Sequence, residues 1–157
     1  MRIMLCAMAI ALMIAGCDSN RVFEKNEEFK DRTWKIAAPA TFDFQISDAS
    51  KKYNLLMDVR NSIEYPFARL FVNYDLKSDS TSLSRELISV YLFDQKTGKP
   101  FGTSGIGDIY DHQFPILKNF TFKRAGNFHM SFQQFMRQDT IPGILAVGLR
   151  VELVEGL

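Results

Sequence analysis

Through the central and C-terminal parts of the chain, apolar and polar residues alternate with a period of two. Thr41-Phe42-Asp43-Phe44-Gln45-Ile46 is the cleanest case. Successive side chains of an extended backbone point to opposite faces, so this stretch predicts a half-buried strand. The same reasoning predicts strands at residues 53–60, 70–76, 86–93, 120–122, 128–133 and 145–154. Polar or turn-forming segments separate them, including residues 61–67 with Pro66, residues 94–100 with Gly98 and Pro100, and residues 134–143 ending in Pro142-Gly143. No long apolar repeat of period 3.6 interrupts the series. About seven or eight short strands without amphipathic helices predict an all-β fold, an antiparallel β-sandwich that is Ig-like or jelly-roll-like in connectivity. Residues 101–119, with Gly102, Gly105, Gly107 and Pro115, read as the longest irregular stretch, and connections of that length in compact domains are often functional.

The N-terminal pattern differs. After Arg2, residues 3–14 form an almost unbroken apolar run of roughly a dozen residues, which is the proportion of a secretory signal. A bilayer span needs about 20 apolar residues, so the run is too short to cross one. Ile14-Ala15-Gly16-Cys17 follows it and resembles a bacterial lipobox. By that resemblance residues 1–16 are a lipoprotein signal peptide, and Cys17 is the first mature residue, carrying a thioether diacylglycerol and an acylated amine. Several acyl chains, each CH₂ worth about 0.8 kcal/mol on burial, anchor a protein to a membrane durably without a transmembrane helix.

Between Cys17 and the first alternating segment the chain is polar and charged, with Lys25-Asn26-Glu27-Glu28 and Lys30-Asp31-Arg32 around Val22, Phe23 and Phe29. This composition predicts a lipidated N-terminus and tether over residues 17–35 and a β-sandwich domain over residues 36–157. Trp34, the single tryptophan, is expected to mark where the packed domain begins.

Composition narrows the function classes. Removal of residues 1–16 leaves roughly 140 residues, the common size of one domain. It also discards Arg2, so 18 basic residues face 18 acidic ones. A neutral balance argues against nucleic acid, whose binding needs a basic surface. Of the two cysteines, Cys6 lies in the signal and Cys17 carries lipid, which excludes thiol catalysis, disulfides and cysteine-held zinc. The 14 phenylalanines, spread along the chain, mark an aromatic β core.

Candidate chemistry is sparse. Gly102-Thr103-Ser104-Gly105-Ile106-Gly107 lacks the Lys-Ser/Thr pair of a phosphate loop, and Ile106 stands where a nucleophile elbow needs glycine. Asp108-Ile109-Tyr110-Asp111-His112 gathers two carboxylates and an imidazole within five positions. Such a cluster can hold a divalent cation or serve as acid or base, but structural hydrogen bonding within the loop is the preferred account. His129, among Phe128, Met130 and Phe132, reads as an ordinary strand residue. Met136-Arg137-Gln138-Asp139-Thr140 reads as a polar turn in which Arg137 and Asp139 pair, or as a partner contact, since Arg and Met are enriched at interfaces. No nucleophile has an evident partner base, so no enzyme, catalytic residue, metal or cofactor is expected. The candidate partner-binding residues are Asp108, Tyr110, Asp111, His112, Arg137 and Asp139.

Several segments in order carry a family resemblance: the lipobox with Cys17-Asp18-Ser19-Asn20, then Val59-Arg60-Asn61 with Tyr65-Pro66, and Leu92-Phe93-Asp94-Gln95-Lys96-Thr97-Gly98-Lys99-Pro100. Gly107-Asp108-Ile109-Tyr110-Asp111-His112, Pro115-Ile116-Leu117-Lys118 and the run from Met136 to Glu152 continue it. Together they resemble the gliding motility lipoprotein GldH family of the Bacteroidota, over essentially the whole mature chain. The resemblance implies a non-catalytic lipoprotein of the outer membrane that supports gliding machinery linked to type IX protein secretion. Its implied partners are other envelope proteins of that apparatus. A ligand-binding sandwich that captures glycan or metal through Asp108, Asp111 and His112 is the alternative.

Overall fold

The structure, a computed structural model, describes residues 19–154. The signal peptide and Cys17 lie outside the described residues. Eleven strands are present among the described residues: β1 (Arg21–Glu28), β2 (Thr33–Lys35), β3 (Ala40–Ile46), β4 (Tyr53–Ser62), β5 (Arg69–Ser78), β6 (Thr81–Tyr91), β7 (Thr103–Ser104), β8 (Ile109–Phe120), β9 (Gly126–Gln134), β10 (Thr140–Pro142) and β11 (Ile144–Leu153). They form a five-stranded sheet in the order β1-β11-β4-β8-β7, a four-stranded sheet in the order β3-β9-β5-β6, and a small β10-β2 ribbon. All pairings are antiparallel.

Connectivity decides between the two expected sandwich types. Among the eight long strands, the first pairs with the last (β1 with β11), the second with the seventh (β3 with β9), the third with the sixth (β4 with β8) and the fourth with the fifth (β5 with β6). This nesting of hairpins is a jelly roll.

Strict alternation explains why the sheets face each other. In β3, Ala40, Phe42, Phe44 and Ile46 are buried while Thr41, Asp43 and Gln45 are exposed. Phe128, Met130 and Phe132 of β9, Leu70, Val72, Tyr74 and Leu76 of β5, and Val147, Leu149 and Val151 of β11 complete the shared interior. The aromatic core expected from composition is a contact network: the Phe122 ring lies 4.4 Å from Phe128 and 5.5 Å from Tyr53, and Phe44 lies 5.9 Å from Phe128. Tilted and edge-on rings at these spacings match the aromatic quadrupole.

Three expectations change. Residues 21–28 form an edge strand hydrogen-bonded along β11, where a tether between lipid and domain was expected. Their inward side chains are few, Phe23 against Phe44 at 5.8 Å being the main one, so the charged outer face hid the period. A turn at Lys30–Arg32, with Asp31 and Arg32 at φ 57° and 51°, then swings the chain into β2. There Trp34 is fully buried, stacked 5.3 Å from Phe29, with its Nε1–H donating to the Ala38 carbonyl. The second change is that the expected irregular stretch contains β7 and the twelve-residue β8, the longest strand. Pro115 sits beside a register shift at Leu55 and Leu56 of β4, the kind of position where a strand tolerates proline. Strand β6 likewise starts earlier than expected, within the serine-rich segment.

At the end of the sandwich that carries β10, Gly143 has φ 80°, and an added Cβ would come 2.3 Å from the Tyr65 nitrogen. Only glycine fits this turn.

Candidate functional site

The outer face of the five-stranded sheet follows from its register. Glu28, Ala146, Arg60, Asp111 and Thr103 sit opposite one another across β1, β11, β4, β8 and β7, and Asn26, Gly148, Asp58 and Gln113 form the adjacent row. Residues directly opposite in antiparallel strands share a face, and since Val59, Met57, Val147 and Leu149 point inward, these rows point outward. Between β1 and β4, strand β11 contributes only Ala146 and Gly148 to these two rows, so the floor is low. A groove of about 370 Å³ runs between Glu24, Asn26 and Glu28 on one side and Asp58, Arg60, Asp111 and Gln113 on the other. The Asn26 side chain lies directly over Gly148, where a Cβ would come 1.9 Å from its Oδ1.

The groove is polar and internally bonded. Arg60 Nε and Nη2 donate to the two carboxylate oxygens of Asp111 at 2.7 and 3.2 Å. Gln113 Nε2 donates to Asp58 Oδ1 at 2.9 Å. Burial pushes the Asp58 carboxyl above its usual range despite that hydrogen bond. Arg150 bridges Glu24 at 3.2 Å and Glu152 at 3.1 Å. A second groove of about 500 Å³ shares Glu28, Arg60, Asp111 and Ala146 and continues over Phe29, Ile106, Ile109 and Leu145. Ile106 is 94% exposed. The combined surface therefore passes from carboxylates and amides to apolar side chains across one bidentate ion pair.

The expected cluster divides between environments. Asp108 is exposed just before β8, and its carbonyl accepts from Ile63 N–H. Tyr110 points inward against Phe93, edge-on at 6.5 Å. Asp111 enters the outer groove and bonds to β4, so its partner is not within a loop. His112 faces the opposite way, stacked 5.6 Å from Phe114 and against Gly102, where an added Cβ would come 2.7 Å from Nε2. The ring is buried, its Nε2 has no hydrogen-bond partner, and burial lowers its pKa against the upward pull of Asp111. Strand alternation thus separates Asp111 from His112, and Asp108, Asp111 and His112 do not converge. Among the described residues no group of three or more His, Cys, Asp or Glu side chains is arranged to hold a metal ion. His129, half-buried on β9, bonds through Nδ1 to Asp43 at 2.8 Å.

Arg137 and Asp139 lie elsewhere, exposed in the β9–β10 connection. Among the described residues they do not pair with each other. The turn is held instead by Gln134, which accepts from Met136 N–H at 2.8 Å and donates to the Gln138 carbonyl at 2.9 Å. Arg137 lines a separate apolar hollow of about 460 Å³ with Phe67, Phe71, Leu87, Phe135 and Met136. Phe135 and Leu87 are about half exposed. Above it the Arg69 guanidinium lies 4.3 Å from the Tyr91 ring centre and 5.6 Å from that of Phe71.

Sequence reasoning passed over Arg60, Asp58 and Gln113. The signal was present: Asp58 and Arg60 alternate with Leu55, Met57 and Val59, which assigns both charges to the outer face of a strand whose inner face is core.

The sequence comparisons span nearly the whole chain. The family model described as GldH lipoprotein matches residues 21–151, beginning at the first residue of β1. The gliding motility lipoprotein GldH of Flavobacterium johnsoniae is 27% identical over 152 residues, covering 90% of this chain and 91% of its own. A gliding motility lipoprotein GldH homolog of Christiangramia forsetii is 25% identical over 148 residues, covering 90% and 89%. Among solved structures, the Tobacco streak virus coat protein aligns over 90% of both chains at 6% identity and a TM-score of 0.29. The jelly-roll assignment rests on strand pairing alone. With the match extending from the edge strand β1 almost to the end of β11, the chain belongs to the GldH lipoprotein family.

Proposed function

We propose that this chain is a non-catalytic subunit of gliding machinery, anchored in the outer membrane by lipid on Cys17, that scaffolds partners of an apparatus linked to type IX protein secretion. The observation that carries the scaffold role is the groove across the outer face of the five-stranded sheet. There an Arg60–Asp111 pair separates a carboxylate-and-amide half from an apolar half with a fully presented Ile106. Apolar side chains beside arginine and bounded by polar groups are the composition of a protein interface. The names of both relatives support the motility role. Asp108, Asp111 and Ile106 are the contacts at this surface. Arg137 and Asp139 belong to a second contact beside Phe135.

The test is affinity purification of the tagged full-length lipoprotein from gently solubilised envelopes. Asp111→Lys and Ile106→Glu are expected to cut recovery of gliding or secretion components at least tenfold with an unchanged melting temperature, and Cys17→Ala to abolish membrane association. Undiminished co-purification by both groove variants would refute the assignment.

A second reading has its own observation. The low floor at Ala146, walled by Glu24, Asn26, Glu28, Asp58 and Gln113, suits a polyhydroxylated ligand, so cell-envelope glycan is the alternative occupant. Calorimetric titration with envelope glycans separates the two: heat that Gln113→Ala removes favours glycan, and flat titrations exclude it.

A further inference from the structure

We infer that the end of the jelly roll built by the β3–β4, β5–β6 and β8–β9 connections is a membrane-facing surface, seated on the phosphate headgroups of the bilayer that holds the lipid. The inference rests on the anchor proposed at Cys17 and adds to it which surface meets the bilayer.

Covalent reach makes the argument. Strand β1 opens at Arg21, four residues after Cys17. An extended chain spans at most about 3.5 Å per residue, so the start of β1 lies within about 14 Å of the anchored residue. That is less than half the length of the ten-residue strand β4, about 33 Å at strand rise. Strand β1 cannot supply slack either. It pairs with β11 from Arg21 to Glu28, and the Leu153 N–H donates to the Asn20 carbonyl at 2.7 Å. The molecule therefore stands close against the membrane, and the end that carries Arg21 faces it.

Register identifies what else lies at that end. Arg21 is opposite Glu152, Leu153 opposite Tyr53, Tyr53 opposite Phe120, and Ile46 opposite Gly126. The exposed cations brought there are Arg21, Lys51, Lys52, Lys118, Lys123 and Arg124. Glu24 engages Arg21, Asp48 engages Lys51, and Asp79 engages Arg124. Among the described residues Lys52, Lys118 and Lys123 take part in no ion pair. Charges on a solvated surface act over about 8 Å at physiological salt, so these lysines reach lipid phosphate only from a molecule held this close. The groove end, with Ile106 and the β9–β10 connection, is then presented about 30 Å above the bilayer, one strand length away, where envelope partners have access.

The chain contains cysteine only at Cys6 and Cys17, so in the lipidated mature protein an introduced cysteine is the single free thiol. The full-length lipoprotein carrying Lys123→Cys or Ile106→Cys is labelled with a fluorophore and reconstituted into phosphatidylethanolamine–phosphatidylglycerol vesicles doped with a nitroxide headgroup lipid. Quenching at position 123 is expected to exceed that at position 106 at least threefold, and Lys52→Glu with Lys118→Glu is expected to reduce it. Equal quenching at the two positions, or the reverse order, in a protein that incorporates labelled fatty acid overturns the orientation and leaves the anchor standing. Failure of the native chain to incorporate fatty acid removes the anchor and the orientation together.

Discussion

At the scale of single residues, alternation decides what each polar group can do. Asp111 and His112 are neighbours in sequence, yet one enters a solvated groove and the other the sandwich interior. The Arg60–Asp111 pair, with both side chains about half exposed, contributes about 0–1 kcal/mol to stability, as solvated ion pairs do. Its geometry serves recognition better than folding. His112 has the opposite character. Buried and without a partner at Nε2, it is held neutral, with a pKa lowered from the ordinary 6.5 by burial. The unfolded chain gains this proton near pH 6.5 and the folded chain only at lower pH. The associated stability is therefore fully present above about pH 6.5 and is lost as pH falls from there through the lower pKa of the folded chain. Thermal melts of His112→Leu should show a flatter decline between pH 7 and pH 5 than the native chain, whatever the offset at pH 8. Parallel declines would exclude His112 as their source.

Among the elements, β1 is the one whose role changed most between sequence and structure. Its polar positions Glu24, Asn26 and Glu28 face the groove, so its composition is that of a linker while its backbone is that of a sheet edge. The period-two signal needs apolar residues on one face, and Phe23 alone is too little to register. The hydrogen bonds that make it a strand come from β11, more than a hundred residues later, and no local window contains them. A soluble domain that begins at Thr33 should consequently expose the edge of β11, whose Val147, Leu149 and Val151 are core, and should aggregate. A domain that begins at Ser19 should remain monodisperse by light scattering. Equal behaviour of the two would mean that β1 is dispensable. Strand β8 was concealed differently. Pro115 and the preceding glycines signal a loop, but the register shift in β4 accommodates the proline, and Tyr110, Phe114 and Leu117 still find inward positions.

On the scale of the whole molecule, nested pairing places the first and last strands side by side and makes most contacts non-local. Loops must close before such contacts stabilise anything, so all-β domains of this kind fold slowly, in milliseconds to seconds or longer. Trp34 reports on this directly, since it packs in the ribbon formed by β2 and β10, two segments about a hundred residues apart. Refolding followed by its fluorescence in stopped flow is expected to complete no faster than milliseconds, and a submillisecond recovery would contradict late closure of that ribbon. The same nesting sends alternate connections to opposite ends of the sandwich. One end carries Arg21 with the lysine-bearing turns, and the other carries Ile106 and the β9–β10 connection.

The amino-acid pattern by itself determined the all-β class, the interior faces of β3, β4, β5, β9 and β11, the aromatic character of the core and the expectation of a lipid-bearing cysteine. Each is written in short windows, as a period, a composition or a contiguous motif. Tertiary structure alone decided the jelly-roll connectivity, the recruitment of residues 21–28 as an edge strand, and the assembly of Arg60, Asp111, Asp58 and Gln113 with Asn26 on one outer face. These depend on which strands become neighbours. That choice is governed by burying both inner faces at once and pairing the backbone of every interior strand, a condition that only the folded chain as a whole can satisfy.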